Sequence, residues 1–197
     1  MSIVAYKLGG SLLLLPDLAV RIRKLLAVRP ESRPLLIVGG GAVADVVREW
    51  DRVHELGEEK AHRLALRSLD LCEALLLELL PEARLAPDRF AAQTAWQQGM
   101  LPVVHSRAVL EEEPEAWELP HSWRATSDSI AAWIAACWRI DELVLVKSIG
   151  LPEGATIDQA SRAGLVDPWF PQLAWRVRKL AWADLRADPP AIRTWRG

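Results

Sequence analysis

The chain has 197 residues, of which 51% are hydrophobic and 25% charged, with a formal net charge of -2. That length suits one domain, spanning residues 1–197, that buries a core without disulfides or metals, and the composition excludes disordered and fibrous classes. With a pI near 6.1 and scattered arginines, the chain lacks the basic patch that binds nucleic acid by releasing counterions.

Read in chain order, Ile3 to Tyr6 predicts a buried strand that runs into the glycine turn Lys7-Leu8-Gly9-Gly10-Ser11. The turn interrupts any basic-then-apolar leader. Pro16 and Asp17 open a predicted helix to about Val28, with Leu18, Ile22, Leu25 and Leu26 on its apolar face. Leu35 to Val38 predicts a second strand, followed by Gly39-Gly40-Gly41 and a helix from Ala42 to Asp51. A long helix, Glu58 to Leu80, carries Leu64, Leu71, Leu75 and Leu79 at helical spacing and ends at Pro81. Next come a helix over Asp88 to Gln98, a strand over Leu101 to Val104 and the acidic run Glu111-Glu112-Glu113-Pro114-Glu115, read as a solvated loop. Thr126-Ser127-Asp128-Ser129 heads a helix to about Trp138, and Leu143 to Val146 is a strand that ends at Lys147. Strands near Val177 to Ala181 and Ala191 to Trp195 complete a sheet of about six.

Alternating strands and helices predict an α/β fold, a three-layer αβα sandwich around a mostly parallel sheet. Ligands of such sheets bind beyond the carboxyl ends of the strands. The longest apolar runs, such as Leu12 to Leu15, are far shorter than the ~20 residues that span a bilayer. A cytoplasmic protein without membrane or nucleic-acid partners is expected, with Cys72 and Cys137 as buried, reduced thiols. The 10 Trp, set against one Tyr and two Phe, are spread along the chain and read as core or interface residues.

The chemistry-bearing residues cluster at the predicted strand ends. At Gly9, Gly10 and Ser11 two readings stay open: glycines that admit a phosphate to the backbone beside the Lys7 ammonium, or a tight strand-to-helix turn. No Gly-Lys-Ser/Thr follows at the spacing of a Walker motif. Gly39, Gly40 and Gly41 lead directly into a helix N-terminus, which favours an anion. Lysine is scarce, with 5 against 19 arginines. The few retained lysines therefore mark places where a compact ammonium is wanted. Lys147 shares the strand-end rim with Lys7. Asp128 reads on its own as a first-turn acid that complements the helix dipole, with Thr126 or Ser127 as cap.

Lys7-Leu8-Gly9-Gly10-Ser11, Val38-Gly39-Gly40-Gly41 and Thr126-Ser127-Asp128-Ser129-Ile130-Ala131-Ala132, in this order, resemble the amino acid kinase family. The resemblance implies ATP as phosphoryl donor with Mg2+, a small-molecule acceptor and a homo-oligomer. It implies that Lys7 touches the transferred phosphate and that Gly9, Gly10 and Ser11 line the ATP phosphates. Gly39, Gly40, Gly41 and Ser127 would face the acceptor, and Asp128 would organise the catalytic lysines. Many members carry a Thr-Asp-x-Asp-Gly segment where this chain has Lys147-Ser148-Ile149-Gly150, and a second lysine in a later Gly-x-x-x-Lys segment that has no match here. Lys147 is placed to replace that lysine; otherwise it is an ordinary exposed lysine.

His105, at another strand end, reads either as an acceptor or phosphate contact or as a rim histidine with a local partner. Gly164-Leu165-Val166-Asp167-Pro168-Trp169-Phe170 resembles a short branch, the aminomethylfuran phosphate kinases of methanofuran biosynthesis. On that resemblance Asp167 contacts an amine or an ATP-bound metal; otherwise it is a turn residue before proline. An amino acid, carbamate or uridylate kinase is the alternative activity, and a nucleotide- or metabolite-binding protein without turnover is the alternative of another class.

Overall fold

The computed structural model describes residues 1–113, 116 and 118–196. Alternation along the first strand, β1 (Ile3–Leu8), sets up the layers. Val4, Tyr6 and Leu8 point to one face, where they meet Leu18, Ile22 and Leu25 of helix α1 (Leu18–Leu26). Ala5 points to the other face and joins a separate apolar cluster containing Ile130, Trp133 and Ile134. A sheet buried on both faces needs a helical layer on each, which gives the three-layer α/β arrangement expected from the sequence.

The remaining elements are β2 (Arg33–Val38), α2 (Gly41–His54), α3 (Glu58–Leu79), β3 (Ala83–Ala86), α4 (Arg89–Gln97), β4 (Leu101–Val104), α5 (Ser106–Glu112), α6 (Ser127–Cys137), β5 (Glu142–Lys147), α7 (Ile157–Arg162), α8 (Phe170–Ala174), β6 (Leu180–Asp184) and β7 (Ile192–Arg196). Among the described residues seven strands form one sheet, ordered β3-β4-β2-β1-β5-β6-β7. Every pairing is parallel except β6 with β7. The central strands β2, β1 and β5 therefore end together on one rim, with Leu8 opposite both Val38 and Val146.

Several boundaries differ from the sequence reading. Pro16 and Asp17 lead into α1 after a 3-10 turn over Gly10–Leu14, but the helix itself starts two residues later than expected, with Asp17 at the N-cap position, and the Asp17 carboxylate accepts from Arg21 Nε at 2.8 Å instead of capping. Strand β3 was not expected, because its burial is confined to its two end residues, Ala83 and Ala86. The strand expected from Val177 begins at Leu180, since α8 and its following turn occupy the chain to that point. Cys72 is buried as expected, whereas Cys137 is only half-buried. In the acidic run, Glu111 and Glu112 belong to α5, while Pro114 and Glu115 lie outside the described residues. Among the described residues no helix is long and apolar enough to cross a membrane.

Candidate active site

Strand periodicity brings the two rim lysines together. Lys7 shares the face of Ala5, and Lys147 the face of Leu143 and Leu145, all of which pack toward α6. In register Lys7 lies opposite Leu145, so Lys147 stands one pleat further along the neighbouring strand on the same side. Asp128, in the first turn of α6, sits between them. Lys147 Nζ donates to Asp128 Oδ2 at 2.7 Å. Lys7 Nζ lies 2.8 Å from Oδ1 as an ion pair outside hydrogen-bonding angles. Lys7 is 3% exposed and Asp128 5%.

Two ammonium groups against one carboxylate leave an uncompensated positive charge in a nearly dry place, which an anionic ligand would neutralise. Burial alone would raise the Asp128 pKa, but the two lysines outweigh it and hold the carboxyl below its ordinary value. Burial, followed by the Lys7 charge, brings Lys147 down to about 8, with Asp128 opposing.

The glycine loops beside this cluster are packed on each other. A Cβ on Gly10 would lie 2.1 Å from Gly41 N, and one on Gly41 would lie 2.6 Å from Gly10 O. Gly41 also has φ +50°, which L side chains rarely adopt. Loop-to-loop packing thus accounts for these two glycines before any phosphate is considered. Gly40 stands at the N-cap of α2 with no side-chain cap, so the positive end of that 14-residue helix is open to a ligand.

A cavity of about 180 Å³ opens at this point, lined among others by Gly10, Ser11, Gly40, Gly41 and Ser127. Its far wall holds residues that the sequence reading did not single out: Asp45 and Arg48 of α2, His62 and Ser68 of α3, and Trp123. The Arg48 guanidinium lies 4.5 Å above the Trp123 ring and pairs with Asp45 at 2.5 Å. His62 stacks on His121 with ring centroids 4.8 Å apart. Burial, then the His121 charge, lowers the His62 pKa to about 4, so this imidazole is neutral near pH 7 and the charges on the wall are those of Asp45 and Arg48. Asp45 and Arg48, spaced i, i+3 just after the glycines, were the available signal.

Two expected site residues do other work. Asp167 is not free for a nucleotide, metal or amine, because each of its carboxylate oxygens accepts three hydrogen bonds. Oδ2 accepts from Thr126 N, Thr126 Oγ1 and Ser129 N, each at 2.9 Å. Oδ1 accepts from Ser129 Oγ, from Trp169 N at 3.2 Å and from Phe170 N at 2.9 Å. Asp167 therefore caps α6 from a distance, and Thr126, expected as a possible cap, is diverted to it. His105 does not line the cavity; its Nε2 lies 3.1 Å from Asp70 Oδ1 on α3, the local-partner alternative. Ser11 sits at the cavity mouth, its Oγ 3.3 Å from Ser148 Oγ.

Residues 2–150 match the model of the amino acid kinase family. The chain belongs to the amino acid kinase family. Over 143 residues, 73% of its length, it is 24% identical to the (5-(aminomethyl)furan-3-yl)methyl phosphate kinase of Methanocaldococcus jannaschii, and the match spans 64% of that relative. The uridylate kinase of Archaeoglobus fulgidus has a similar structure, with a TM-score of 0.61 at 17% identity, covering 92% of this chain and 90% of that one. The aspartate kinase of Synechocystis gives 0.65 at 16% identity, covering 98% of this chain and 40% of that one. The isopentenyl phosphate kinase of T. acidophilum gives 0.55 at 13% identity, covering 92% and 90%. At these identities the structural likeness is one of fold.

In this amino acid kinase family chain the lowered Lys147 pKa has a testable consequence. If its ammonium carries charge for the reaction, kcat/KM should fall as pH rises through about 8. The contribution of Lys147 to stability runs the opposite way. Its folded pKa is depressed, so between about 8 and 10.5 the unfolded chain holds more protons, and this contribution grows across that window. A pH–rate profile with no alkaline limb below pH 10 would remove Lys147 from the charge-carrying set.

Proposed function

We propose that the chain is an ATP-dependent phosphotransferase that moves the terminal phosphoryl group of ATP onto an oxygen of a small acceptor. The observation that carries this reading is the buried Lys7–Asp128–Lys147 cluster, with its net positive charge, beside the open N-terminus of α2. Phosphoryl transfer needs anionic groups held in line and their developing charge neutralised, and rigidly placed cations and helix N-termini do both. Lys7 and Lys147 are assigned to the phosphoryl group in flight and Asp128 to holding them in place. Gly9, Gly10 and Ser11 are assigned to the ATP phosphates, and Gly39, Gly40, Gly41 and Ser127 to the acceptor.

ATP supplies the phosphoryl group, and Mg2+ suits phosphate oxygens and water more than a dedicated protein cage. Asp128 and Asp167 are already engaged, so the rim acid suited to such an ion is Asp184, which pairs with Lys147 in register and shares its face. Arg48, Asp45 and Trp123 on the cavity wall suit an acceptor with an anion, a cationic amine and a flat ring. Those are the groups that the Methanocaldococcus jannaschii relative is named for, and we assign the acceptor to that aminomethylfuran phosphate class. We further propose a single cytoplasmic domain that self-associates. Support for self-association comes from Leu71, Leu75 and Leu79, which form an exposed row on α3 beside the edge strand β3.

The test is ADP release with Mg-ATP across acceptors that include the aminomethylfuran phosphate, isopentenyl phosphate, UMP and aspartate. Release with the furan compound alone supports the full reading, and release with another acceptor moves the substrate but keeps the reaction. Lys147-Ser148-Ile149-Gly150, without the two acids that many relatives carry there, favours a second reading as a nucleotide-binding protein without turnover. ATP binding without ADP release for any acceptor would establish that one.

A further inference from the structure

Outside the cleft, α3 and β4 bring together a second polar cluster that the phosphate chemistry does not use. Asp70 and Glu73 stand one turn apart on α3, and His105 follows the carboxyl end of β4. His105 Nε2 lies 3.1 Å from Asp70 Oδ1 and 4.0 Å from Glu73 Oε2. All three ligand atoms fall within 4.8 Å of one another, and no other trio of His, Cys, Asp or Glu side chains converges in this way among the described residues.

Acidic groups often gather without binding anything; Glu73 is what points to a cation. Its side chain is 1% exposed. Oε1 accepts the Ser106 N–H at 3.0 Å, whereas Oε2 is buried without any hydrogen-bond partner and faces the imidazole. Burial raises its carboxyl to about 7 against the opposing pull of Ser106 and His105. An orphaned carboxylate oxygen in such a place is costly, and a cation between it and the imidazole would remove the cost. Asp70 is already oriented for this. Arg107 Nε donates to its Oδ2 at 2.8 Å and its Oδ1 at 3.1 Å, and Arg107 is itself held by Glu111. Such outer contacts fix the carboxylate plane with Oδ1 toward His105, as they do around metal ligands.

We propose that Asp70 Oδ1, Glu73 Oε2 and His105 Nε2 form a binding site for a divalent transition-metal cation, for which Zn2+ is the suitable probe. One imidazole and two carboxylates make a donor set that zinc accepts, with a fourth position left for water. Ligand atoms of a tetrahedral zinc site stand about 3.4 Å apart, so Glu73 closes on the ion by a side-chain adjustment of about 1 Å. The ion would fasten α3 to the end of β4. Cys72, between Asp70 and Glu73 in the chain, donates its thiol to the Gly40 carbonyl at 3.4 Å, so this fastening also steadies the wall that seats Gly40.

The experiment is calorimetric titration of the chelator-treated, nucleotide-free whole chain with ZnCl2, accompanied by thermal melts. One equivalent should bind and raise Tm. Glu73→Gln, Asp70→Asn and His105→Asn should each weaken binding by at least about 10²-fold. His54→Ala, which removes an exposed histidine, should change nothing. Failure to bind one equivalent, or wild-type affinity in folded Glu73→Gln or Asp70→Asn, would overturn the site. None of these readouts depends on turnover, so the result stands apart from the kinase reading.

Discussion

Alanine at Lys7 or at Lys147 is expected to lower turnover by roughly 10² to 10³-fold while changing ATP affinity far less. Both ammonium groups are held on one buried carboxylate, at 2.8 and 2.7 Å, at the carboxyl ends of adjacent parallel strands. A charge fixed in this way costs no reorganisation when negative charge shifts during transfer, so its effect falls on the transition state. Arginine should rescue neither position, because a planar fork cannot occupy the space of an ammonium seated on Asp128. Asp128→Asn should also damage turnover more than binding. It leaves two buried ammonium groups without their counter-charge, and breaking such a pair costs about 3 to 5 kcal/mol of stability. Steady-state ADP release and nucleotide titration of the variants decide the matter. Near-normal turnover in Lys147→Arg would leave Lys7 as the sole lysine assigned to the reaction.

Gly10→Val is expected to destabilise the whole chain. Sequence reasoning anticipates lost nucleotide binding with the fold largely intact, but the structure revises that expectation. The Cβ would meet backbone atoms of Gly41 at 2.1 and 2.3 Å, and neither is the yielding end of a side chain. Even alanine forces the two strand-end loops apart. A cost of about 3 kcal/mol or more follows, a fall in Tm of roughly 6 to 12 °C for a chain of this size. Gly150→Ala, whose Cβ meets nothing within 4 Å, is the control. A melting temperature for Gly10→Ala equal to that of wild type would show that the loops can separate freely.

Much of this was legible because it rests on local pattern. Alternation through Ile3–Leu8 and Glu142–Lys147 gives the central strands, and the same alternation puts Lys7 and Lys147 on one face. The scarcity of lysine in the sequence singles out the same pair. The reach of Asp167 is not legible because four of its six bonds are remote: Thr126 and Ser129 are about forty residues earlier, and only the bonds from Trp169 N and Phe170 N fit the turn expected at Asp167-Pro168. For His105 the sequence leaves two readings open, and it cannot choose between them because the partner, Asp70, lies 35 positions away on another element. The Gly10–Gly41 contact is likewise tertiary; each glycine run announces a turn, but not that one turn rests on the other. The cavity wall of Arg48, His62 and Trp123 comes from three separate segments that only the fold assembles.

The reach of Asp167 also bears on how this protein and its relatives can be recombined. Likeness to the family model stops at residue 150, yet the carboxylate that seats the start of α6 comes from residue 167. A chimaera that joins residues 1–150 of this chain to the C-terminal half of another member would keep every lysine and glycine of the cleft. Where that half brings no carboxylate in the place of Asp167, Thr126 and Ser129 lose their acceptor, and Asp128 rides on a helix start without its cap. Thr126, Ser129 and Asp167 therefore form one unit across that boundary, and a crossover that separates them cuts through the candidate site even though it touches no residue lining the cavity.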